Sequence, residues 1–410
     1  MEKLQAVRGT RDLYGQDKLK MKKVIEVGSK VVERYGFEEI ETPVFEFTEV
    51  FARNIGETTD IVTKEMYSFE KGGDHLTLRP EGTAGVVRAF VSNGMHRQLP
   101  LKAYYYGPMF RYERPQKGRY RQLTQFGAEL LGVESPQVDV EVIAMAYNFL
   151  EDLGLTGKVT VEINSLGDEE SRKAYREKLV SYLRGYYDKL SEDSKNRLEK
   201  NPLRVLDSKE ECDKEIVANA PLYRDSWNES SRGFFEEVIK GLDNLGIKYV
   251  INDRLVRGLD YYNHTVFELT TDKLGSQGTV LAGGRYNGLV QQMGGGDVAG
   301  IGWAGGVDRL AMLIDEDVFV ERPVALIPTG DDVDAKALVI AYNLRKAGIK
   351  VEHSYSGSFK KRFEKANKVN ACKAIILGSD ELRNNEVVIK DLDSGEQKTV
   401  ALDKLIEELR

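Results

Sequence analysis

The stretch Leu101–Gly132, LKAYYYGPMFRYERPQKGRYRQLTQFGAELLG, decides the fold of this chain. Its first part is rich in aromatic residues, as strands are, and its second part alternates polar and apolar side chains with the two-residue period of a strand. Between the two parts, Pro115 and Gly118 prevent a helix or a continued strand. The pattern predicts a hairpin with one apolar face and one polar face, the polar face carrying Gln125 and Glu129.

The loop of this hairpin, Arg111–Arg121, is strongly basic, with five arginine or lysine side chains against the single acid Glu113. A basic run alone is most often a solvated hairpin tip. The polar strand face beside the loop argues against that interpretation, because polar groups in a buried strand pair must find partners or they cost stability. A small polar ligand bound at the hairpin is the simpler account.

Length and composition limit the remaining possibilities. The chain has 410 residues, which predicts two or three domains, and its 41% hydrophobic and 30% charged residues are typical of a soluble globular protein. The absence of a long apolar run and of a basic leader predicts a cytoplasmic protein without a membrane span. A net charge of −7 confines polyanion binding to local patches. Two separate cysteines and four histidines without HxxxH spacing predict no disulfide framework and no protein-bound metal.

Two segments before the hairpin bear on assembly and on the site. Phe37–Phe47 alternates like a strand but contains Pro43, which has no backbone N–H to donate, so we expect a sheet edge or a subunit interface there. Farther along, a short strand at Leu76–Pro80 leads into a helix that opens with Glu81 and Thr83. An acid and a hydroxyl suit helix capping at this position, and capping is the favoured interpretation of Thr83 alone.

Three features follow the hairpin. Residues 168–249 are charge-dense and mostly helical in pattern, which indicates an insertion, and RGLDYYNHTVFELT then places Arg257 before an aromatic, strand-like run. Gly300–Gly305 spells GxGxxG, but no buried strand precedes it, so a dinucleotide-binding turn is not favoured. Arg309 comes near the start of the next helix, where an anionic ligand is favoured.

Residues 323–410 alternate strands and helices, which predicts a separate α/β unit with a mixed sheet and parallel crossovers. One predicted helix in this unit concentrates basic side chains. Such a cluster suits RNA phosphates, and a solvated helix face is an equally good account. The basic residues are Lys360, Lys361, Arg362, Lys365 and Lys368.

These pieces together resemble the class II aminoacyl-tRNA synthetases. FEEIETPVFE resembles the first motif of that class, FRYERPQKGRYRQLTQFGAEL the second and GIGWAGGVDRL the third. Within the class, three segments resemble the histidyl-tRNA synthetase family in particular: RGTRDLYG (Arg8–Gly15), RPEGTAGVVRAF (Arg79–Phe90) and RGLDYYNHTVFE (Arg257–Glu268). The similarity spans nearly the whole chain.

The resemblance implies an α+β catalytic domain over residues 1–322, built on an antiparallel sheet and interrupted by the helical insertion 168–249. Residues 323–410 are implied to form a C-terminal α/β anticodon-binding domain with a mixed sheet. The third motif departs from the family pattern in ways that touch packing more than chemistry. The residues that depart are Trp303, Gly305 and Asp308.

The resemblance also implies roles for individual residues. ATP would bind in a bent form, with Arg111 at the α-phosphate, Glu113 near the adenine and Arg309 at the γ-phosphate. Arg257 would face Arg111 and neutralise charge while the histidine carboxylate attacks, so that catalysis rests on positioning and electrostatics. Mg²⁺ would bridge the ATP phosphates without a cage of protein ligands. Histidine would meet Glu129 and Tyr262 at its imidazole, Glu81, Thr83 and Gln125 at its α-amino group, Tyr261 along the wall, and Arg111 and Arg257 beside the reacting carboxylate.

The implied activity is the ATP-dependent ligation of L-histidine to tRNA(His) through a histidyl-adenylate, performed by a homodimer that pairs through the segment around Pro43. In the family, the hairpin tip approaches the acceptor end of a tRNA that carries an extra 5′ guanosine, which makes Gln116, Arg119 and Arg121 candidate contacts. One alternative is a histidine-binding regulatory paralogue, which would lack the C-terminal domain and an intact RGLDYYN segment. A nucleotide-dependent oxidoreductase is a distant third.

Overall fold

The computed structural model describes residues 3–55, 59, 61–208, 210–275, 278–330 and 332–410. These residues divide into two units, the first ending at Val318 and the second running from Phe319 to Arg410. In the first unit the strands are β1 Glu38–Glu39, β2 Phe45–Phe47, β3 Tyr67–Lys71, β4 Asp74–Leu78, β5 Leu101–Phe110, β6 Gln122–Leu131, β7 Thr160–Ser165, β8 Tyr249–Ile251, β9 Asn263–Thr270, β10 Thr279–Arg285 and β11 Gly300–Gly306. Its α-helices are α1 Gly15–Arg34, α2 Thr48–Ile55, α3 Thr83–Ser92, α4 Pro136–Asp152, α5 Glu169–Arg184, α6 Glu192–Lys200, α7 Glu211–Ala218, α8 Glu229–Asn244, α9 Leu289–Gln292 and α10 Val307–Met312.

The main sheet of the first unit has the order β1-β5-β6-β11-β10-β9-β7-β8 within the described residues. Its inner pairs are antiparallel, and only the two outer pairs of this sheet, β1 with β5 and β7 with β8, are parallel. This arrangement confirms the antiparallel sheet expected from the sequence. Strands β2, β4 and β3 form a separate small sheet.

The predicted hairpin is formed by β5 and β6, with the basic loop at residues 111–121 between them. The strand register sets Ala103 opposite Glu129 and Gly107 opposite Gln125. Phe126 on the other face of β6 is fully buried and packs in the core that β6 shares with α1 and α4. The apolar face expected from the alternation is therefore the core face, which leaves the polar face for a site.

The structure decides two local expectations: the strand-like stretch Phe37–Phe47 is divided in two, and the GxGxxG stretch is, as expected, no dinucleotide-binding turn. Phe37–Phe47 forms two short strands, β1 and β2, because Pro43 lies between them and cannot donate to a ladder. The GxGxxG stretch is strand β11, hydrogen-bonded to β6 on one side and β10 on the other, so it is no phosphate-binding turn. Helices α5 to α8 lie between β7 and β8 in the chain and make up the inserted segment.

The second unit is an α/β structure with a mixed sheet, as predicted. Its strands are β12 Val324–Thr329, β13 Val351–His353, β14 Lys373–Gly378, β15 Glu386–Asp391 and β16 Gln397–Ala401, and its helices are α11 Asp334–Lys346, α12 Phe359–Lys368, α13 Ser379–Asn384 and α14 Leu405–Leu409. The strand order is β13-β12-β14-β15-β16, with β13, β12 and β14 parallel and the last two pairings antiparallel. The basic cluster lies on α12, where Lys361, Lys365 and Lys368 are exposed.

Candidate active site

The polar face of the β5–β6 hairpin carries a buried cluster of polar side chains centred on Glu129, which is 1% exposed. One carboxylate oxygen of Glu129 accepts hydrogen bonds from the hydroxyls of Thr83 at 2.7 Å and Tyr105 at 3.3 Å. The other oxygen accepts from the Tyr286 hydroxyl at 2.6 Å. The neighbouring strand β11 passes at Gly302, where a β-carbon would overlap the carboxylate. Three donors and a glycine thus fix Glu129 in one position.

The start of α3 supplies a second buried carboxylate, that of Glu81. It accepts hydrogen bonds from two backbone N–H groups of the first turn, at 2.6 and 2.9 Å, and so caps the helix. The hydroxyl of Thr83 donates to Glu129 instead, which corrects the capping interpretation of Thr83. Gln125 of β6 accepts a hydrogen bond from the Gly82 N–H at 3.1 Å. The structure therefore brings Glu81, Thr83, Gln125 and Glu129 together.

The environment of the two acids favours a ligand with positive charge or N–H donors. Burial raises the pKa of Glu81, although backbone hydrogen bonds act in the opposite direction. Burial also raises the pKa of Glu129 to about 8, against the effect of hydrogen bonds from Thr83 and Tyr286, and the neighbouring Glu81 adds repulsion. A hydrogen-bond donor or a cation bound beside these two carboxyls would offset the cost of their burial and the repulsion between them.

The segment between β8 and β9 supplies a wall of aromatic side chains beside the cluster around Glu129. Tyr261 and Tyr262 are 4% and 6% exposed, and their ring centroids lie 4.6 Å apart. Tyr261 also meets the Tyr286 ring edge-on, with 5.7 Å between centroids. In the same segment Arg257 forms an ion pair with Glu268 of β9, and its guanidinium lies 5.7 Å from the centroid of the Tyr262 ring. The wall thus combines aromatic surface with one cation.

An arginine-rich cleft lies beside this cluster, and its lining includes Gln125, which accepts the Gly82 N–H, and Arg257, which lies near the Tyr262 ring. Four arginines line this cleft against two acids, so the lining carries an excess of positive charge. A cleft of this kind concentrates anions. The charged lining residues are Arg111, Arg119, Arg257, Arg309, Glu113 and Asp308.

Backbone carbonyls orient the arginines of the cleft. Arg309 donates from Nε to the Gly118 carbonyl at 2.9 Å and from Nη1 to the Thr279 carbonyl at 2.6 Å. Arg111 donates from Nε to the carbonyl of a proline just before α3, at 2.8 Å. Burial and the nearby Arg119 lower the pKa of Arg309. Arginines crowded in this way are stabilised by an anion that lies between them.

The three residues of the hairpin tip that are predicted to contact RNA differ in their exposure and in their partners. Gln116 is exposed. Arg119 turns into the cleft, where its Nε lies 2.8 Å from the carboxylate of the buried Glu113. Arg121 stacks its guanidinium 3.7 Å from the centroid of the Tyr112 ring and donates to the Glu113 carbonyl at 3.3 Å. Gln116 is therefore the freest of the three to meet a partner from solvent.

Comparison with known proteins identifies the family. The family model described as histidyl-tRNA synthetase matches residues 9–310, and that of the anticodon binding domain matches residues 323–410. The chain belongs to the histidyl-tRNA synthetase family. It is 56% identical over 404 residues to the histidine-tRNA ligase of Rhodospirillum rubrum, covering 98% of this chain and 97% of that protein. It is 53% identical over 401 residues to the histidine-tRNA ligase of Gluconobacter oxydans, with 98% and 97% covered.

A solved histidyl-tRNA synthetase shares the architecture. The crystal structure of the apo histidyl-tRNA synthetase of S. aureus matches with a TM-score of 0.84 and 36% sequence identity over 99% of both chains. The family membership and the fold class expected from the sequence motifs are thereby confirmed.

Sequence reasoning missed several members of this histidyl-tRNA synthetase site. Tyr105 and Tyr286, both donors to Glu129, were not singled out, and neither was Glu268, the partner of Arg257. Asp308, expected to affect packing more than chemistry, pairs with Arg11 at 2.8 Å. It also accepts the Thr124 N–H at 2.8 Å, so it joins the N-terminal segment to β6. No local pattern could have revealed the Arg11–Asp308 pair, whose members are 297 residues apart.

In the part of the chain that the structure describes, no three His, Cys, Asp or Glu side chains are grouped so that they could hold a metal ion. None of the helices in that part is both long enough and apolar enough to cross a membrane.

Proposed function

We propose that this protein ligates L-histidine to tRNA(His) at the expense of ATP, through a histidyl-adenylate. The observation that carries the proposal is the contact between two groups of side chains: the buried acids around Glu129, near which Gln125 accepts the Gly82 N–H, and an arginine-rich cleft that Gln125 and Arg257 also line. A site that suits an amino acid with a basic side chain thus lies next to a cleft that suits phosphates. The membership of the chain in the histidyl-tRNA synthetase family supports the same reaction.

In the proposed complex, histidine binds at the buried polar cluster around Glu129. Its imidazole N–H groups meet Glu129 and Tyr262, and its protonated α-amino group meets Glu81, Thr83 and Gln125, while Tyr261 lines the wall. Support comes from the two buried carboxyls, whose raised pKa values favour a ligand with N–H donors and positive charge. A site built to hydrogen-bond a polar side chain rejects apolar analogues far more strongly than shape alone does.

ATP is proposed to occupy the cleft. Arg111 meets the α-phosphate, Glu113 lies near the adenine and Arg309 meets the γ-phosphate. The family uses ATP, generally with Mg²⁺, and the arginine excess of the cleft suits the triphosphate. When bound, Mg²⁺ supplies charge neutralisation on the phosphates, and we assign no protein ligands to it.

The proposed chemistry has two steps. In the first, a histidine carboxylate oxygen attacks the α-phosphorus of ATP and pyrophosphate leaves. In the second, a terminal ribose hydroxyl of the tRNA attacks the carbonyl carbon of the adenylate and AMP leaves. Arg111 and Arg257 stabilise the charge on the α-phosphate and hold the histidine carboxylate in line, which lowers the barrier through positioning and electrostatics. No covalent bond to a protein side chain is required.

Recognition of tRNA is proposed to use both units. The hairpin tip, with Gln116, Arg119 and Arg121, meets the acceptor end, and residues 323–410 meet the anticodon. Gln116 is exposed, and the lysines of α12 offer phosphate contacts in the second unit. Because tRNA is charged where proteins are made, the proposed reaction places the protein in the cytoplasm.

We also propose a homodimer that pairs through the small sheet β2-β4-β3. On one face of this sheet, Phe45 lies opposite Leu78, and both Phe47 and Phe69 lie opposite Leu76. The three phenylalanines are 54%, 57% and 44% exposed, respectively. An exposed aromatic sheet face is typical of a protein interface.

The regulatory alternative is not favoured. A binding paralogue would be expected to lack the C-terminal domain and an intact RGLDYYN segment, whereas both are present here.

The test of the proposed function is histidine-dependent exchange of pyrophosphate into ATP, followed by aminoacylation of tRNA(His). The proposal predicts exchange with histidine and none with the other amino acids. A protein that binds histidine but exchanges no pyrophosphate would support the regulatory alternative instead.

A further inference from the structure

The segment that carries Arg257, Tyr261 and Tyr262 is irregular, and the helical insertion holds it. Near its start, Asp253 pairs with Arg224 of the insertion. The next residue, Arg254, reaches back into the insertion and donates to two backbone carbonyls there, at 2.8 and 3.2 Å. Residues 253 and 254 are therefore tied to the insertion by side chains from both sides.

The other end of the segment is tied through Asp260, next to Tyr261. The side-chain amide of Asn201 donates to both carboxylate oxygens of Asp260, at 3.1 and 3.0 Å. Arg172 of α5 donates to the Asp260 backbone carbonyl at 3.2 Å. The charges of Arg204 and Arg172 favour the ionised carboxylate, although burial prevails and raises the pKa of Asp260. Two residues of the insertion thus contact the residue that directly precedes the tyrosine wall.

The backbone around Asn201 makes it a fixed anchor. Asn201 follows the last residue of α6, and its N–H donates to the Arg197 carbonyl at 2.7 Å. Pro202 comes next and restricts the residue before it to extended conformations, as the φ of −147° and ψ of 93° at Asn201 show. The backbone conformation of Asn201 is therefore constrained, and its side chain is directed towards Asp260.

Apolar packing joins the same two parts of the chain. Tyr261, Tyr262 and Leu255 belong to one buried cluster that also contains Tyr175 and Tyr223 of the insertion. The insertion and the segment thus share a core in addition to their polar contacts.

We propose that Asn201 is a positioning residue of the amino-acid site, and that through Asp260 it sets the place of Arg257 and the tyrosine wall. The insertion is then a part of the histidine site, and more than a surface appendage. This inference rests on the proposed function, because its consequences appear in the activation of histidine. Asn201 does not line the arginine-rich cleft, and its proposed effect passes through Asp260.

The perturbation is Asn201→Ala, measured by histidine-dependent pyrophosphate exchange in the full-length protein. A displacement of about 1 Å in a catalytic constellation costs up to roughly 100-fold in rate. We therefore expect kcat/KM for histidine to fall by about 10- to 100-fold, with a rise in the KM for histidine. The KM for ATP should change less than the KM for histidine, since Arg111, Glu113 and Arg309 lie outside the tethered segment, although Arg257 lies within it. Asn196→Ala changes an exposed asparagine on α6, the helix that ends just before Asn201, and is the matched control that should behave like the parent.

A pair of further variants tests the contact itself. Asn201→Asp sets two carboxylates against each other and should be at least as impaired as Asn201→Ala. Combining it with Asp260→Asn restores an amide against a carboxylate with the partners exchanged. We expect the double variant to recover at least part of kcat/KM for histidine. Should Asn201→Ala fail to fold, Asp260→Asn alone, which keeps the side chain's size, takes its place as the single variant.

The outcomes separate this inference from the proposed function. If the parent shows no histidine-dependent exchange, the proposed function fails. If the parent is active and Asn201→Ala loses thermal stability but retains the parent's kcat and KM for histidine, the role of Asn201 is structural and the inference is overturned. A double variant no better than Asn201→Asp would overturn it as well.

Discussion

Replacing Glu129 by glutamine removes a buried acid but keeps the volume of the side chain. The expected change in the free energy of unfolding follows from the pKa of Glu129 in the folded protein. Burial raises the pKa of Glu129 from its ordinary value of 4.5 to about 8. The folded protein therefore keeps this proton up to about pH 8, whereas the unfolded chain loses it above about pH 4.5. Between these values the unfolded chain binds fewer protons, so the free energy of unfolding of the parent falls as the pH rises. The shift corresponds to at most about 5 kcal/mol at pH values above 8, of order 1.4 kcal/mol for each pKa unit.

Glutamine has no proton to lose, so Glu129→Gln should be the more stable protein in the absence of ligands, and increasingly so from pH 5 to pH 8. The assay is the melting temperature of the ligand-free protein across this pH range. With roughly 2 °C per kcal/mol for a unit of this size, the difference should grow to several degrees. Glu151→Gln, at an exposed position on α4, is the control and should show no such trend.

The same substitution should impair recognition of histidine. Loss of a hydrogen bond to a charged group costs about 1.5–3 kcal/mol, which predicts a rise of roughly 10- to 100-fold in the KM for histidine in pyrophosphate exchange. The KM for ATP should be unchanged. A melting-temperature difference that does not vary with pH would refute the assigned pKa, and a KM for histidine equal to that of the parent would refute the role of Glu129 in selection.

Three further predictions concern other parts of the molecule. Arg257→Ala should lower kcat of pyrophosphate exchange by about 10²- to 10³-fold, since one preorganised donor to the reacting phosphate is lost; a rate near that of the parent would show that the role is wrongly assigned. Gln116→Ala should leave exchange nearly intact and impair aminoacylation, and impair it less on tRNA that lacks the extra 5′ guanosine; equal losses on the two RNAs would count against readout of that nucleotide by Gln116. Phe47→Asp places a charge on the exposed aromatic face and should give a monomer by sedimentation at micromolar concentration, while Phe319→Asp, an exposed phenylalanine in the other unit, should leave the mass unchanged; a monomeric parent would contradict the proposed dimer.

The hairpin was predictable because its signals are local. Alternation over a few residues determines which face of β6 is apolar, and Pro115 with Gly118 marks the turn. The strands end at Phe110 and resume at Gln122, next to the basic loop expected from the sequence. The single strand expected over Phe37–Phe47 was wrong because local alternation does not show how far one proline interrupts pairing.

The parts of the site that escaped prediction depend on strand register and on distant contacts. Tyr286 donates to Glu129 across 157 residues of sequence, and Asn201 meets Asp260 across 59. Hydrophobic periodicity does not reveal such long-range contacts, because they depend on which strands become neighbours and in what register. The role of Thr83 differs from the expected one for the same reason, since Thr83 begins helix α3 and its partner Glu129 lies on strand β6.

The Glu129 carboxylate lies against the backbone of β11 at Gly302, which makes this side of the proposed histidine site hard to alter. Gly302→Ala would have to displace the carboxylate or separate β11 from β6, two central strands of the main sheet. Moving the carboxylate would also break its bonds to Thr83 and Tyr286. Under the proposed function, substitutions that change the preferred amino acid are therefore expected at the aromatic wall of Tyr261 and Tyr262, and changes at Glu129 are expected to disturb the sheet and its hydrogen bonds together.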